Sequence, residues 1–128
     1  MSYYYARIVD LPFDKAIERL TAALAKQGFG ILTDIDIAAT MKKKLGKEMP
    51  AYRILGACNP KLADRALTIE NKIGTMLPCN VIVRRAEGEK IEIAAINPAS
   101  SMSAVGNPGL DEIAGEVASL LRTAVDSV

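Results

Sequence analysis

Apolar residues recur along this chain at two spacings, and each change of period marks a change of element. Residues 3–9 are rich in aromatic and β-branched side chains and read as a first strand. From Phe13 the period becomes helical: Phe13, Ala16, Ile17, Leu20, Ala23 and Leu24 share one face. Pro12 suits the first turn of that helix and Gly28 its stop. Residues 31–36 alternate Ile31, Thr33, Ile35 against Leu32, Asp34, Asp36, as a half-exposed strand does. A short helix over residues 37–45 follows, with Ile37, Met41 and Leu45 on one stripe. Residues 52–57 form a third strand, and Asn59-Pro60 is a cap and first-turn pair for a helix reaching about Glu70.

Residues 71–78 are irregular but apolar. Residues 81–85 and 90–96 predict a hairpin across Glu87-Gly88-Glu89. Residues 97–109, small and turn-forming, are expected as a loop, long enough to suggest a functional role. Asn107-Pro108 repeats the cap pattern and opens a last helix with Leu110, Ile113, Val117, Leu120, Leu121 and Ala124 as its buried stripe. This order of elements predicts an α+β layer: a mixed, mainly antiparallel sheet of about five strands with helices on one face. No linker or low-complexity tail interrupts it, so residues 1–128 are expected as a single domain.

Composition narrows the chemistry. Half of the 128 residues are hydrophobic, which suffices for a core at this size. The first residues lack the basic-then-apolar pattern of a secretory signal, and no apolar run approaches the ~20 residues of a membrane span. A soluble cytoplasmic protein with reduced thiols is expected. Sixteen basic and 15 acidic side chains leave a net charge of +1, which gives no reason to expect nucleic-acid binding. Lys42-Lys43-Lys44 reads as the solvated face of the short helix; an anionic lipid or phosphate contact is the other reading.

Histidine is absent, which excludes Ser-His-Asp and Cys-His catalytic units and histidine-ligated zinc. With no tryptophan and six other aromatic residues, the chain offers little for stacking platforms for single strands.

The remaining candidate chemistry lies in two motifs, Gly56-Ala57-Cys58-Asn59-Pro60 and Leu77-Pro78-Cys79-Asn80-Val81, which hold both cysteines. Each thiol is followed by asparagine, with a proline that stops or starts a strand close by. Together with Tyr52-Arg53-Ile54-Leu55 and Ala63, with Gly28-Phe29-Gly30 and with Asn97-Pro98, these segments resemble the bacterial family called domain of unknown function 302, over nearly the whole chain. The resemblance implies a compact α+β fold with a curved sheet, and a homodimer. It brings no established activity and no catalytic residues to carry across.

Cys58 precedes a helix start, where unpaired amides and the helix dipole favour a thiolate. The following helix carries the chain about 16 Å, and residues 71–78, if extended, bring it back by up to about 26 Å. If they return, the flanking strands are antiparallel and both thiols meet at one end of the sheet; otherwise they lie at opposite ends. The family's sheet favours the first arrangement.

Three readings of Cys58, Asn59, Cys79 and Asn80 stand open. They are packed small residues with turn-satisfying asparagines; or Cys58 and Cys79, with the Met102 or Met76 thioether, hold a soft metal such as Cu(I); or the cysteines are an attacking and resolving redox pair. Zinc fits less well, because four firm ligands are not visible.

A reading without sulfur chemistry is a dimeric module that binds a small molecule or a protein partner in a groove flanked by residues 97–109. Ser100, Ser101 and Ser103 there have no activating base and solvate a turn. Arg53, Arg84 and Arg85 are placed on strands to hold a carboxylate or phosphate, or to pair with neighbours such as Glu92. The chain reads as a binding module rather than an enzyme.

Overall fold

The strands β1 (Tyr4–Val9), β2 (Gly30–Asp36), β3 (Tyr52–Cys58), β4 (Cys79–Arg85) and β5 (Ile91–Ile96) form one sheet in the order β1-β5-β4-β3-β2, in a computed structural model that describes residues 2–128. The helices are α1 (Phe13–Lys26), α2 (Ile37–Leu45), α3 (Pro60–Ile69), α4 (Pro98–Ser101) and α5 (Pro108–Asp126). The fold is therefore α+β. The sheet has the five, mainly antiparallel strands expected, and all four of its pairings are antiparallel, with none of the parallel pairing that a mixed sheet would add. The reason lies in the first connection. β1 and β2 run the same way, but α1 carries the chain across the whole sheet and sets them on opposite edges, so no parallel pair forms.

One face of the sheet is buried. Val9, Leu55, Ala57, Cys79, Val81, Val83, Ile91, Ile93 and Ala95 alternate along their strands and point at the helices. Ala16, Leu20 and Leu24 of α1, Leu62 and Ala66 of α3, and Leu110, Ile113, Leu121 and Ala124 of α5 fill the other side of that layer. Leu120 of the expected stripe is only partly buried, while Ala114 and Val125 join the core. Fully burying a Leu or Ile side chain stabilises by roughly 1.5–3 kcal/mol, so this layer is a large favourable contribution to folding. α2 buries none of its residues, and Lys42, Lys43 and Lys44 are solvated, Lys42 pairing with Glu48 at 3.0 Å.

Three Asn-Pro pairs start helices in the same way. Asn59 accepts from the Leu62 N–H at 3.4 Å, Asn97 from Ala99 at 3.1 Å and Asn107 from Gly109 at 3.1 Å. The expected loop over residues 97–109 is thus a short helix, α4, followed by a 3₁₀ turn, Ser103–Val105. Asn97-Pro98 carries the cap chemistry of the other two pairs, and four small residues complete one turn without an apolar period to announce it.

Strand β2 also departs from expectation. A register shift between Ile31 and Thr33 and its place at the sheet edge leave all but Ile31 exposed, rather than one face in two. At the other edge, Arg7 donates to the carbonyl oxygens of Val125, Asp126 and Val128 at 3.3, 3.0 and 2.7 Å and closes the end of α5. Among the described residues no helix is long and apolar enough to cross a membrane.

Candidate functional site

Cys58 ends β3 and Cys79 begins β4. The strands pair antiparallel with Ala57 opposite Cys79 and Gly56 opposite Asn80. The chain therefore does return after α3, partly through the 3₁₀ turn Ile73–Met76, and both sulfurs lie at the same end of the sheet. Both are free thiols, Cys79 buried and Cys58 half-buried. They line one cavity of about 30 Å³ together with Met102, Asn59 and Pro98, closed by aliphatic side chains of α3 and α5 such as Leu62 and Ile113. A space of that size takes one water molecule or one ion and no organic ligand.

Burial pushes the Cys79 thiol from its ordinary 9.0 up to about 11, and the nearby Cys58 adds to the effect. At neutral pH Cys79 is a protonated, weakly nucleophilic thiol. Among the described residues no group of three or more cysteine or carboxylate side chains is placed to hold a metal ion.

The other candidate residues separate. Asn59 caps α3, and its amide also donates to the Gln27 carbonyl at 3.2 Å, tying the end of α1 to the start of α3. Gly28 must be glycine there: its φ is +87°, and a Cβ would come within 2.9 Å of the Asn59 amide nitrogen. Asn80 is not at the cavity; it is exposed on the opposite face. Met76 is 41% exposed and lies outside the cavity, so Met102, brought in by α4, is the one thioether in its wall. Pro78, preceded by a cis peptide bond, packs over Gly56.

The sheet's second face carries no helix layer. Its register puts Ile35 opposite Ile54, Ile54 opposite Ile82, Ile82 opposite Ala94 and Ala94 opposite Ala6. An apolar row thus crosses all five strands. Tyr4, Ile8 and Ile35 on this face are 45%, 51% and 46% exposed. A hollow of about 420 Å³ lies beside the row, lined by Tyr52, Asn80, Ile82, Arg84, Glu92 and Ile96 among others. This was not legible in the sequence, because the row exists only once strands from distant segments are set in register.

Residues 97–109 do not flank this hollow as expected; through Pro98 and Met102 they line the thiol cavity instead. Arg53, Arg84 and Arg85 each have a carboxylate partner. Arg84 donates to Glu92 at 2.7 Å, Arg85 to Glu89 at 2.5 Å, and Arg53 holds Asp34 through two bonds, Nε–Oδ1 at 2.7 Å and Nη2–Oδ2. Ser101 and Ser103 donate to the carbonyls of Pro98 and Ser100 at 3.5 and 2.8 Å. These are turn bonds with no base nearby.

The family described as "Domain of unknown function DUF302" matches residues 5–128. Among solved structures, the chain is similar to the uncharacterized conserved protein DUF302 from Bacillus stearothermophilus, seen in a crystal structure. The two share 28% identity and superpose with a TM-score of 0.93 over 99% of this chain and 98% of that one. No curated protein matches.

Proposed function

We propose, for a chain that belongs to the DUF302 family, that it is a binding module working through the bare face of its sheet. Two copies meet across the apolar row, and the hollows beside that row, enclosed between them, take a small amphipathic molecule. The observation that carries this reading is the unbroken row Ile35, Ile54, Ile82, Ala94 and Ala6. The row is partly exposed, with Ile35 exposed and the other four half-buried, and a contiguous apolar surface rimmed by polar groups is the mark of an interaction site. A second copy presents the same row, and self-complementarity is what a two-fold interface requires. The hollow's volume falls within the range of small-molecule sites, with Ile82 and Ile96 for an apolar body and Arg84, Glu92 and Asn80 to orient a polar end.

Sedimentation velocity tests the assembly: a dimer is expected for the wild type, and a folded monomer for Ile82→Lys, which sets a charge in the middle of the row. An anilinonaphthalene sulfonate dye tests the hollow. Its fluorescence should rise with the wild-type protein and not with Ile82→Lys. A monomeric wild type that leaves the dye dark removes the reading.

A further inference from the structure

The thiol cavity is remote from that sheet face and answers to a different chemistry. Two thiols from adjacent strand ends and one thioether from the α4 turn line a single void, and every other wall of it is aliphatic except Asn59. The Asn59 side chain is already engaged, with the Leu62 amide and the Gln27 carbonyl. Three sulfur-bearing side chains, drawn from residues 58, 79 and 102, thus converge where packing alone would be served by any small apolar group. Cys58 is half-buried whereas Cys79 and Met102 are buried, so of the three sulfur-bearing residues Cys58 is the one in reach of solvent.

We infer that Cys58, Cys79 and Met102 form a site for a single Cu(I) ion, held by two thiolates and a thioether.

The donor set selects the ion. Ca²⁺ and Mg²⁺ require oxygen ligands, and the cavity wall has no carboxylate. Zinc requires four firm ligands, and no third cysteine, carboxylate or histidine is placed to supply them among the described residues. Thiolate and thioether sulfur select Cu(I). The void of about 30 Å³ is of the size for one ion and excludes a cluster or an organic cofactor.

Binding changes no oxidation state. Cu⁺ displaces the proton of each thiol to solvent and forms two Cu–S bonds, with the Met102 sulfur as a neutral third donor. The bound unit carries one net negative charge. It sits beside Asn59, at the N-terminus of the ten-residue helix α3, whose dipole favours an anion there.

The test is a titration of the reduced protein with Cu(I) under anaerobic conditions, in competition with a bicinchoninate chelator. One ion per chain is expected, and X-ray absorption should report a sulfur-only shell of three. Cys58→Ser, at the half-exposed position, should abolish binding in competition with the chelator while circular dichroism stays native. Met102→Leu should keep the stoichiometry, lose one sulfur from the shell and weaken binding by at least about tenfold, the step that separates a ligand from a spectator.

Unchanged binding in Cys58→Ser overturns the site, and so does an unchanged shell and affinity in Met102→Leu. A wild type that refuses Cu(I) but closes a Cys58–Cys79 disulfide in air overturns it as well, and assigns the pair to thiol redox chemistry.

Discussion

Ala57 and Cys79 face one another across the β3–β4 ladder, and that single register pair brings both sulfurs to one end of the sheet. Had the chain continued past α3 without returning, the same two motifs would lie a strand length apart. The difference in burial between the two cysteines then sets their reactivity.

With iodoacetamide at pH 8, Cys58 is expected to be alkylated and Cys79 to stay free until the protein unfolds. Burial holds Cys79 as a thiol up to about pH 11, and the thiolate is the reactive form. Peptide mass spectrometry reads this directly, and equal labelling of both residues would contradict it.

The same burial makes stability depend on alkaline pH. The folded value of Cys79 lies above its ordinary 9.0. The unfolded chain therefore releases this proton first as pH rises, and the folded state loses ground from about pH 9 to about 11. The loss attributable to Cys79 is at most ~3 kcal/mol. Tyr5, pushed upward chiefly by its hydrogen bond to Asp126, acts in the same sense. The difference between wild type and Cys79→Ala in urea midpoints at pH 8.5 and 11 isolates the cysteine.

Gly56→Ala is expected to destabilise the protein by roughly 1–3 kcal/mol, the usual range for overpacking. An added Cβ would stand 2.7 Å from the Pro78 Cγ and closer still to the Thr33 hydroxyl. Gly115→Ala is the contrast. It lies within α5 with nothing within 4 Å of the new methyl, so it should stabilise by roughly 0.5–1 kcal/mol through helix propensity. Denaturant midpoints of the two variants should move in opposite directions.

Arg7→Met should cost about 1–2 kcal/mol. It removes a cation from the C-terminal end of α5 and leaves three carbonyl oxygens without their shared donor. Hydrogen exchange should show the last turn of α5 opening more often in this variant, with the centre of the sheet unchanged.

Acid acts through Asp34. The hydrogen bond from Arg53 holds its carboxyl below the usual carboxylate range. Its contribution is present above the unfolded value near 3.9 and drains away as pH falls through the lower folded one. The pair is partly solvated, so Asp34→Asn should remove no more than ~1 kcal/mol at pH 7 and flatten this acid limb. Urea midpoints at pH 7 and pH 3 compare the two proteins.

The elements themselves were legible because period and cap chemistry are local. The helical stripe from Phe13 to Leu24 and the pairs Asn59-Pro60 and Asn107-Pro108 locate α1, α3 and α5 to within about two residues. α4 escaped although Asn97-Pro98 has the same signal. Ala99, Ser100 and Ser101 show no apolar spacing, and a single turn is held by its cap rather than by packing.

Strand direction was not local information. Whether residues 71–78 return depends on where their apolar residues find burial, and Ile73 is buried in a 3₁₀ turn. For the same reason Cys58 and Cys79 were readable as candidates but their meeting was not. Met102 was nameable as a donor only as one of two methionines.

The position of β1 has a consequence for how the chain assembles. Its sole neighbour is β5, with Tyr4 opposite Ile96, so β1 finds its place in the sheet only after the chain has been made as far as residue 96. Until then β5 presents a row of unanswered amides and carbonyls to any passing strand. Strand β1 is therefore the latch of this sheet, and a nascent chain is open to mispairing along β5 in the interval before it closes.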